Sequence, residues 1–367
     1  MKISIGARTI DGPYGGGNEF LKNLIVFLKN KNHTVINHLN DKDIDIILLT
    51  NPLITSETST FNSYDIEYYL KFCNADAIVF QRFNECDERK GTRNINKKLD
   101  KFNKVVDINI YVSYWLKNIF KNYDLSKKKS YVIKGGPNKE IFNTQNKNYW
   151  DKDSKLKIVT HHWSNNLMKG YEVYKEIDEL LNYEEFNNLF EFTIIGNIPK
   201  YINFKNTNIL KPINSTGLSN ELKKHDIYLT ASQNEPSGNH HMEGALCGLP
   251  ILYIESGALP EYCHSFGKSF EIQNFKESLN YIVENYYKLV KSLESYPYDF
   301  LTAANDLIKV FEESQKQKKE IIYLRKKTSL PSLLFRYILN KIHRSLYKLY
   351  VHIKSDIGKV KNNFKDV

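Results

Sequence analysis

Short apolar runs alternate with longer stretches of mixed character along most of the chain. "KISIGA" (2–7) reads as a strand; after "DGPYGGGN" the segment "EFLKNLIVFLKNKN" carries apolar residues at helical spacing. Further strands are predicted at 34–39, 43–51, 76–83, 108–113 and 130–135, with Ser113 placed to cap the helix "YWLKNIFKNY". Polarity rises through 143–155 and the alternation then restarts, with strands at 156–163, 190–197, 208–213, 226–232 and 250–256. Helices are predicted from Lys169 to about Leu181, near "SNELKKH", and at roughly 275–296 and 298–315. Strands separated by helices imply mostly parallel sheets covered on both faces. The pattern therefore predicts an α/β chain of two doubly wound, Rossmann-like domains, 1–148 and 155–297, then a closing helix (298–317) and a tail (318–367). A length of 367 residues also favours two domains.

Charge changes the picture only at the tail. The chain carries +10, but residues 316–367 hold fourteen Lys/Arg against three acids and the preceding residues hold 38 against 39. The neutral body argues against nucleic acid as a partner. In the tail, Leu334, Ile338, Ile342, Leu346, Leu349 and Ile353 recur at helical spacing among Arg336, Lys341, Arg344 and Lys348. Such a basic amphipathic helix either meets an anionic membrane surface or packs on the body with a solvated basic face. No stretch reaches the ~20 apolar residues of a membrane span, and the apolar run at the N-terminus is too short for a signal peptide. Four scattered cysteines point to a reducing compartment. The expected location is cytoplasmic, at most peripheral on the cytoplasmic membrane face.

The stretch "NEPSGNHHMEGALCGLP" (234–250) holds the chemistry. Gly238 would free the backbone N–H groups at the start of a short helix to face a phosphate or a sugar, and Met242, Ala245 and Leu246 would pack that helix on a sheet. Glu243 would lie one turn in, where its carboxylate can accept from a ribose diol, and Glu235 in the loop can accept from hydroxyls of a second ring. A helix-start acid and a surface acid favoured by the helix dipole fit this stretch equally well on its own. His161, His162, His240 and His241 form adjacent pairs whose side chains diverge, with no acid or cysteine to complete a metal set. Asp41, Asp43 and Asp45 precede a strand and are badly placed for a metal–diphosphate site.

In order, Glu235, Gly238, Glu243, Gly244-Ala245, Gly248, Pro250 and "ESGALPEY" resemble the E-x7-E region of family-four retaining glycosyltransferases, which have the GT-B fold: two Rossmann-like domains facing a cleft. "YVIKGGPNKEIF" (131–142), "MKGYEVY" (168–174), "FTIIGN" (192–197) and "YGGGNEFLKNL" (14–24) resemble other segments of that family, so the likeness spans roughly residues 2–315. The resemblance implies transfer of a sugar from a nucleoside-diphosphate donor to a glycan or glycolipid acceptor with retention and no metal or other cofactor, in surface polysaccharide or lipopolysaccharide synthesis. It implies that Glu243 binds the donor ribose, Glu235 the donor sugar and Lys169 the diphosphate, with Ser237, Gly238 and Asn239 beside them and Gly16 and Gly17 letting the backbone approach the reacting region. Glu235, Lys169 and Arg82 are the expected catalytic groups.

Two departures stand out. Ser164 occupies the position where the family usually has an Arg, so the diphosphate clamp is incomplete unless Arg82 or Arg89 supplies it. No His stands at the end of the expected first-domain strand; "VFQRFNECDERKGT" (79–92) is there instead, making Asn84, Asp87, Arg89 and Lys90 acceptor or cleft candidates, together with His162. That stretch also reads as a solvated, charged loop. A non-catalytic nucleotide-sugar or carbohydrate binder would fit the same departures, and a nucleotide-sugar epimerase of related fold is a rival enzyme reading.

Overall fold

The computed structural model describes residues 1–10, 15–52, 58–325 and 330–363, and within the last helix the side chains of 333–347, 349 and 350. Residues 11–14 of the glycine-rich loop and the side chains of Lys348 and Ile353 lie outside the described residues. Strands β1 (Lys2–Ile5), β2 (Thr34–Ile36), β3 (Ile46–Leu49), β4 (Ile78–Phe83), β5 (Ile108–Tyr111) and β6 (Lys129–Val132) form a parallel sheet in the order β2-β1-β3-β4-β5-β6. A second parallel sheet has the order β12-β11-β10-β7-β8-β9. Its strands are β7 (Leu156–His162), β8 (Phe190–Gly196), β9 (Asn208–Leu210), β10 (Ile227–Thr230), β11 (Ile251–Tyr253) and β12 (Gly267–Ser269).

β3, β5, β10 and β11 are buried along their whole length, so β3 and β11 read as unbroken apolar runs, while β5 carries the buried Asn109, bonded to Asn103 and Leu125 O, and β10 ends on Thr230. Their register stacks apolar on apolar, as in Ile46↔Ile78 and Leu48↔Phe80. β12, "GKS", has no side-chain pattern to announce it and joins the edge through its backbone beside β11. Ser113 caps the helix Tyr114–Ile119 as predicted, its Oγ accepting from Leu116 N at 3.2 Å. Ser113→Ala is expected to lower unfolding stability by about 1 kcal/mol, read as a lower urea midpoint at unchanged m-value.

Each sheet reverses its strand order once, between β1 and β3 in the first and between β7 and β10 in the second. Chain segments leaving such a pair diverge and open a crevice at the carboxyl ends of the strands. The helix Phe275–Leu293 packs on the second domain through Phe275, Leu279, Ile282 and Tyr286. The helix Phe300–Lys316 crosses back: Phe300, Ala304, Leu307 and Phe311 join Phe20, Leu24, Phe27 and Phe80 in the first core. Phe300 meets Phe20 and Phe27 edge-on, at 5.9 and 6.3 Å between ring centres. Burying side chains of this size contributes roughly 1.5–3 kcal/mol each, so this return holds the two lobes as one molecule.

The chain after Lys316 also lies on the first domain. Arg325 donates to both Asp107 carboxylate oxygens (2.9 and 2.7 Å) and to the carbonyls of Ala75 and Ala77. The helix Leu330–Asn363 docks on the helix Ser63–Phe72. Tyr337 stacks on Tyr68, Asn340 accepts from Asn62 at 2.8 Å, and Arg344 reaches Asp65 at 2.6 Å. Arg336 pairs with Glu67 and Lys341 with Asp65. This differs from both sequence expectations, because these three basic side chains face the body. Phe335, Ile338, Ile342, Leu346 and Leu349 are each more than half exposed. The cause is Asp65 and Glu67, counter-charges on a distant helix that a reading of the tail alone does not weigh. No helix among the described residues is long and apolar enough to cross a membrane.

Candidate active site in the interdomain cleft

The crevice between β7 and β10 is where the second domain gathers its polar groups. Beyond Thr230 the chain makes a loop with Asn234 at φ 47°, held by Asn234 N donating to Ser256 Oγ (2.9 Å) and Ala258 N donating to Glu235 O (2.8 Å). Gly257, at φ 63°, lies so close to the Glu235 backbone that no side chain fits there. The loop turns Glu235 inward, 6% exposed. One carboxylate oxygen, Oε2, accepts from Ser232 Oγ (3.0 Å), Lys169 Nζ (3.1 Å) and Arg89 Nη2 (2.9 Å). Among the described residues nothing bonds its Oε1. Lys169 ends the single turn Leu167–Lys169 that follows β7, and Arg89 comes from the first domain, from the short helix Asp87–Lys90. The Arg89 guanidinium also donates to Met168 O (2.9 Å) and Gln233 O (2.7 Å), so one side chain stitches the domains together at the site.

Burial pushes the Glu235 carboxyl up, but the Lys169 and Arg89 cations outweigh it and hold the group at about 2. Lys169 is pulled below the ordinary lysine range, chiefly by burial, with Glu235 opposing. Two cations against one carboxylate leave the cluster one positive charge in excess, which suits an anionic ligand. A carboxyl held below its unfolded value adds stability that is complete above about pH 4.5 and lost as pH falls through about 2.

Glu243 sits one turn into the helix Asn239–Leu246, which packs on the sheet through Met242, Ala245 and Leu246 as expected. The sequence reading left Glu243 to a ligand, but the chain itself supplies a partner: His161, at the end of β7, has Nε2 2.6 Å from Glu243 Oε2. Tyr228 Oη lies 3.1 Å from His161 Nδ1 and accepts from the His161 backbone N–H (3.2 Å); in the tautomer whose Nδ1 takes the Tyr228 proton, the Nε2–H donates to Glu243. Glu243 Oε1 has no partner among the described residues and is left for a ligand. Gly238 precedes the helix at φ 76° with no side-chain cap, leaving the first N–H groups of the helix available. A Cβ at Gly238 would stand 2.7 Å from Glu235 Cγ. Gly238→Ala is therefore expected to cost about 1–3 kcal/mol of stability through backbone strain and to weaken nucleotide binding on the order of tenfold, measured by urea unfolding and by calorimetry.

The histidine pairs do not simply diverge. His240 meets His162 at 4.8 Å, His161 at 6.4 Å and His241 at 5.2 Å between ring centres, in a cluster of edge-on contacts. Burial pulls His162, His240 and His241 below the ordinary imidazole range. No three His, Cys, Asp or Glu side chains form a possible metal site among the described residues.

Several expected cleft residues stand elsewhere. His162 is 2% exposed and bonds Tyr174 Oη at 2.8 Å, so it is a packed ring and not an acceptor contact. Asp87 spends both oxygens inside its own loop, accepting from Thr92 Oγ1, Ile95 N and Asn96 N, because it heads a tight turn that needs those donors held. Lys90 is half exposed and pairs with Glu85 at 2.9 Å. Arg82 makes no hydrogen bond or ion pair with Glu235 or Lys169; its guanidinium lies over the Phe20 ring, 4.0 Å from its centre. Arg89, not Arg82, reaches the cluster that Ser164 leaves short of a cation. Gly16 faces Asn239 across the cleft, a Cβ there lying 3.1 Å from the Asn239 amide, and Gly17 faces Asn84. Tyr262 Oη donates to Val112 O of the first domain at 2.6 Å, and Ser237 Oγ lies 3.3 Å from the same hydroxyl. Beside it Glu261 accepts from Tyr114 N and Trp115 N of the first domain, a second seam that the sequence did not announce.

No family model matches the chain and no curated protein does. Solved structures do match it. The apo form of the lipopolysaccharide outer core galactosyltransferase WaaB aligns with a TM-score of 0.61 at 13% identity, over 85% of this chain and 100% of that one. HepE from Anabaena in complex with UDP gives 0.61 at 12%, over 85% and 99%. Sucrose-phosphate synthase from Thermosynechococcus elongatus gives 0.59 at 10%, over 85% and 98%. Likeness at such identity is likeness of fold, and the chain has the two-domain GT-B fold.

Proposed function

We propose that this cleft transfers a sugar from a nucleoside-diphosphate donor to a glycan or glycolipid acceptor, with retention at the anomeric carbon, in surface polysaccharide or lipopolysaccharide synthesis. The observation that carries the reading is Glu235 held between Lys169 and Arg89 with one oxygen left open, eight residues before Glu243, at the strand-order reversal of the second sheet. The names of the structural neighbours support it: an Anabaena HepE bound to UDP-glucose and a lipopolysaccharide galactosyltransferase. In this reading Glu243 Oε1 accepts from the donor ribose and Glu235 Oε1 from the donor sugar. Lys169, Arg89 and the N–H groups after Gly238 take up the charge that grows on the departing diphosphate. Fixed cations and dipoles aimed at developing charge favour the transition state over the ground state.

A nucleotide panel tests the donor half. UDP, GDP, ADP and CMP are titrated while thermal unfolding is followed; a ligand at a hundred times its dissociation constant stabilises by about 2.7 kcal/mol. One nucleotide is expected to stabilise selectively, and Glu243→Ala to lose most of that shift. Epimerised donor formed without any acceptor would instead favour an epimerase, and tight binding without turnover a binding protein.

The outward apolar face of the last helix is read as a docking surface for an anionic bilayer at the cytoplasmic side. The occupant is argued from charge: residues 316–367 carry fourteen basic residues against three acids, and Asp107, Glu67 and Asp65 of the body pair with four of them, Arg325, Arg336, Lys341 and Arg344. Flotation with phosphatidylglycerol vesicles is expected to carry the protein, and Phe335→Ser with Ile342→Ser to release it. Equal flotation of the variant would refute membrane docking through this face.

A further inference from the structure

The first sheet reverses its strand order between β1 and β3, and a cavity of about 290 Å³ opens there. Its lining includes Arg8, Gly16, Gly17, Asn51, Arg82 and Asn84. The volume sits at the small end of ligand pockets, enough for one sugar residue with a substituent and not for a nucleotide sugar. None of Arg89, Lys169, Glu235 or Glu243 lines it, so it is separate from the carboxylate cluster. The two meet where Gly16 backs onto Asn239.

Among the described residues the side-chain charge lining this cavity is unbalanced. The other arginines that are not fully exposed each hold a carboxylate: Arg89 has Glu235, Arg325 has Asp107, Arg336 has Glu67 and Arg344 has Asp65. Arg82 holds none among the described residues and lies against the Phe20 ring, with burial pulling its pKa down to about 10. Arg8, at the rim, also meets no carboxylate there. Among the described lining residues Glu85 is the carboxylate, and it is already paired with Lys90 at 2.9 Å. The helix Gly16–Asn30 begins at the same wall with no side-chain cap on Gly15, so its first N–H groups and its dipole add to the positive potential. The Arg82 guanidinium is partly exposed at the cavity wall, so its charge faces the space an anion would fill.

We propose that this cavity receives an anionic group of the acceptor, a phosphate or a carboxylate, gripped by Arg82 and Arg8 beside the Gly16–Gly17 helix start. The acceptor is then a sugar phosphate or an acidic glycan residue. The inference rests on the sugar-transfer reading, because only that reading makes the first-domain cavity an acceptor site. Arg82 sets the acceptor's charge and position; donor recognition stays with the second domain.

The test titrates glucose 6-phosphate, glucuronate and glucose separately into the full chain at low ionic strength, by calorimetry, with and without saturating UDP. Thermal unfolding reports that each variant is folded. The two anions are expected to bind at least tenfold more tightly than glucose, with UDP present as well as absent. Arg82→Gln is expected to remove that preference, and Arg82→Lys to keep part of it. Equal binding of glucose, no binding of any of the three, or a preference that survives Arg82→Gln combined with Arg8→Gln would overturn the proposal. Displacement of glucose 6-phosphate by UDP would also overturn it, since the anion site would then belong to the donor diphosphate. UDP titrated alone reads the donor site independently. A chain that prefers the anions but does not bind UDP would sink the transfer reading and leave the anion site standing.

Discussion

Glu235→Gln is expected to lower sugar transfer by about 10²–10³-fold, the scale seen when one preorganised electrostatic partner is removed from a buried site. The amide keeps the shape and removes the charge. Lys169 and Arg89 then share a desolvated pocket with no counter-ion, and each disfavours the other's charged form. Breaking a buried pair of this kind costs about 3–5 kcal/mol, so the variant is also expected to unfold at lower urea concentration. The pH dependence carries a distinct signature. The native carboxyl is held at about 2 against an ordinary 4.5, so its contribution is complete above about pH 4.5 and drains away as pH falls through about 2. The stability gap between the native protein and the glutamine variant is therefore expected to be widest above pH 4.5 and to narrow steadily toward pH 2. A gap that stays constant over that range would show that the carboxylate is not held by these cations.

Arg89→Gln has the second-largest expected effect, for a different reason. Its guanidinium makes three contacts at once: the Glu235 carboxylate and the carbonyls of Met168 and Gln233, all in the opposite domain. The loss removes a charge from the cluster and a stitch across the cleft together. Transfer is expected to fall about 10²-fold, with KM for the donor rising as well as kcat falling. Arg89→Lys should rescue little, because a single ammonium cannot reproduce a planar fork bonded to three oxygens. Small-angle scattering should show a larger radius of gyration for the variant without nucleotide, as the cleft loses a tie. An unchanged radius with unchanged KM would mean that Glu261 and Tyr262 hold the cleft by themselves.

Much of this architecture was legible because parallel strands buried on both faces write themselves as apolar runs. All eleven strands singled out in the sequence, β1 to β11, are present, although β2, β6 and β9 are exposed or half-buried and carry a weaker pattern. β12 was not legible, since "GKS" is recruited by backbone pairing beside β11 and carries no pattern. Within the site, Glu235, Glu243 and Gly238 could be named from spacing and turn chemistry, and Lys169 from the family resemblance. Their partners could not. His161 and Glu243 are 82 positions apart, and Arg89 and Glu235 lie on different domains. Arg82 and Arg89 are both arginines in one polar stretch, and only the fold separates them: the first lies inside β4, while the second rides on the turn that crosses the cleft. Asp87 reads as a functional acid in sequence because a loop-organising carboxylate and a catalytic one use the same residue type. The tail misled through its partner, since Asp65 and Glu67 decide which of its faces turns inward.

Transfer itself remains the central claim, and the most direct measurement is the fate of a labelled donor sugar. The native chain, Glu235→Gln and Glu243→Ala are each incubated with a nucleotide sugar labelled in the sugar, together with neutral and anionic glycan acceptors. The label is then followed out of the nucleotide fraction. The account predicts that the native chain moves label into a glycan product with the donor's anomeric configuration, and that both variants leave it on the nucleotide. A native chain that binds the nucleotide sugar yet leaves all label in place, or variants that transfer as fast as the native chain, would contradict it.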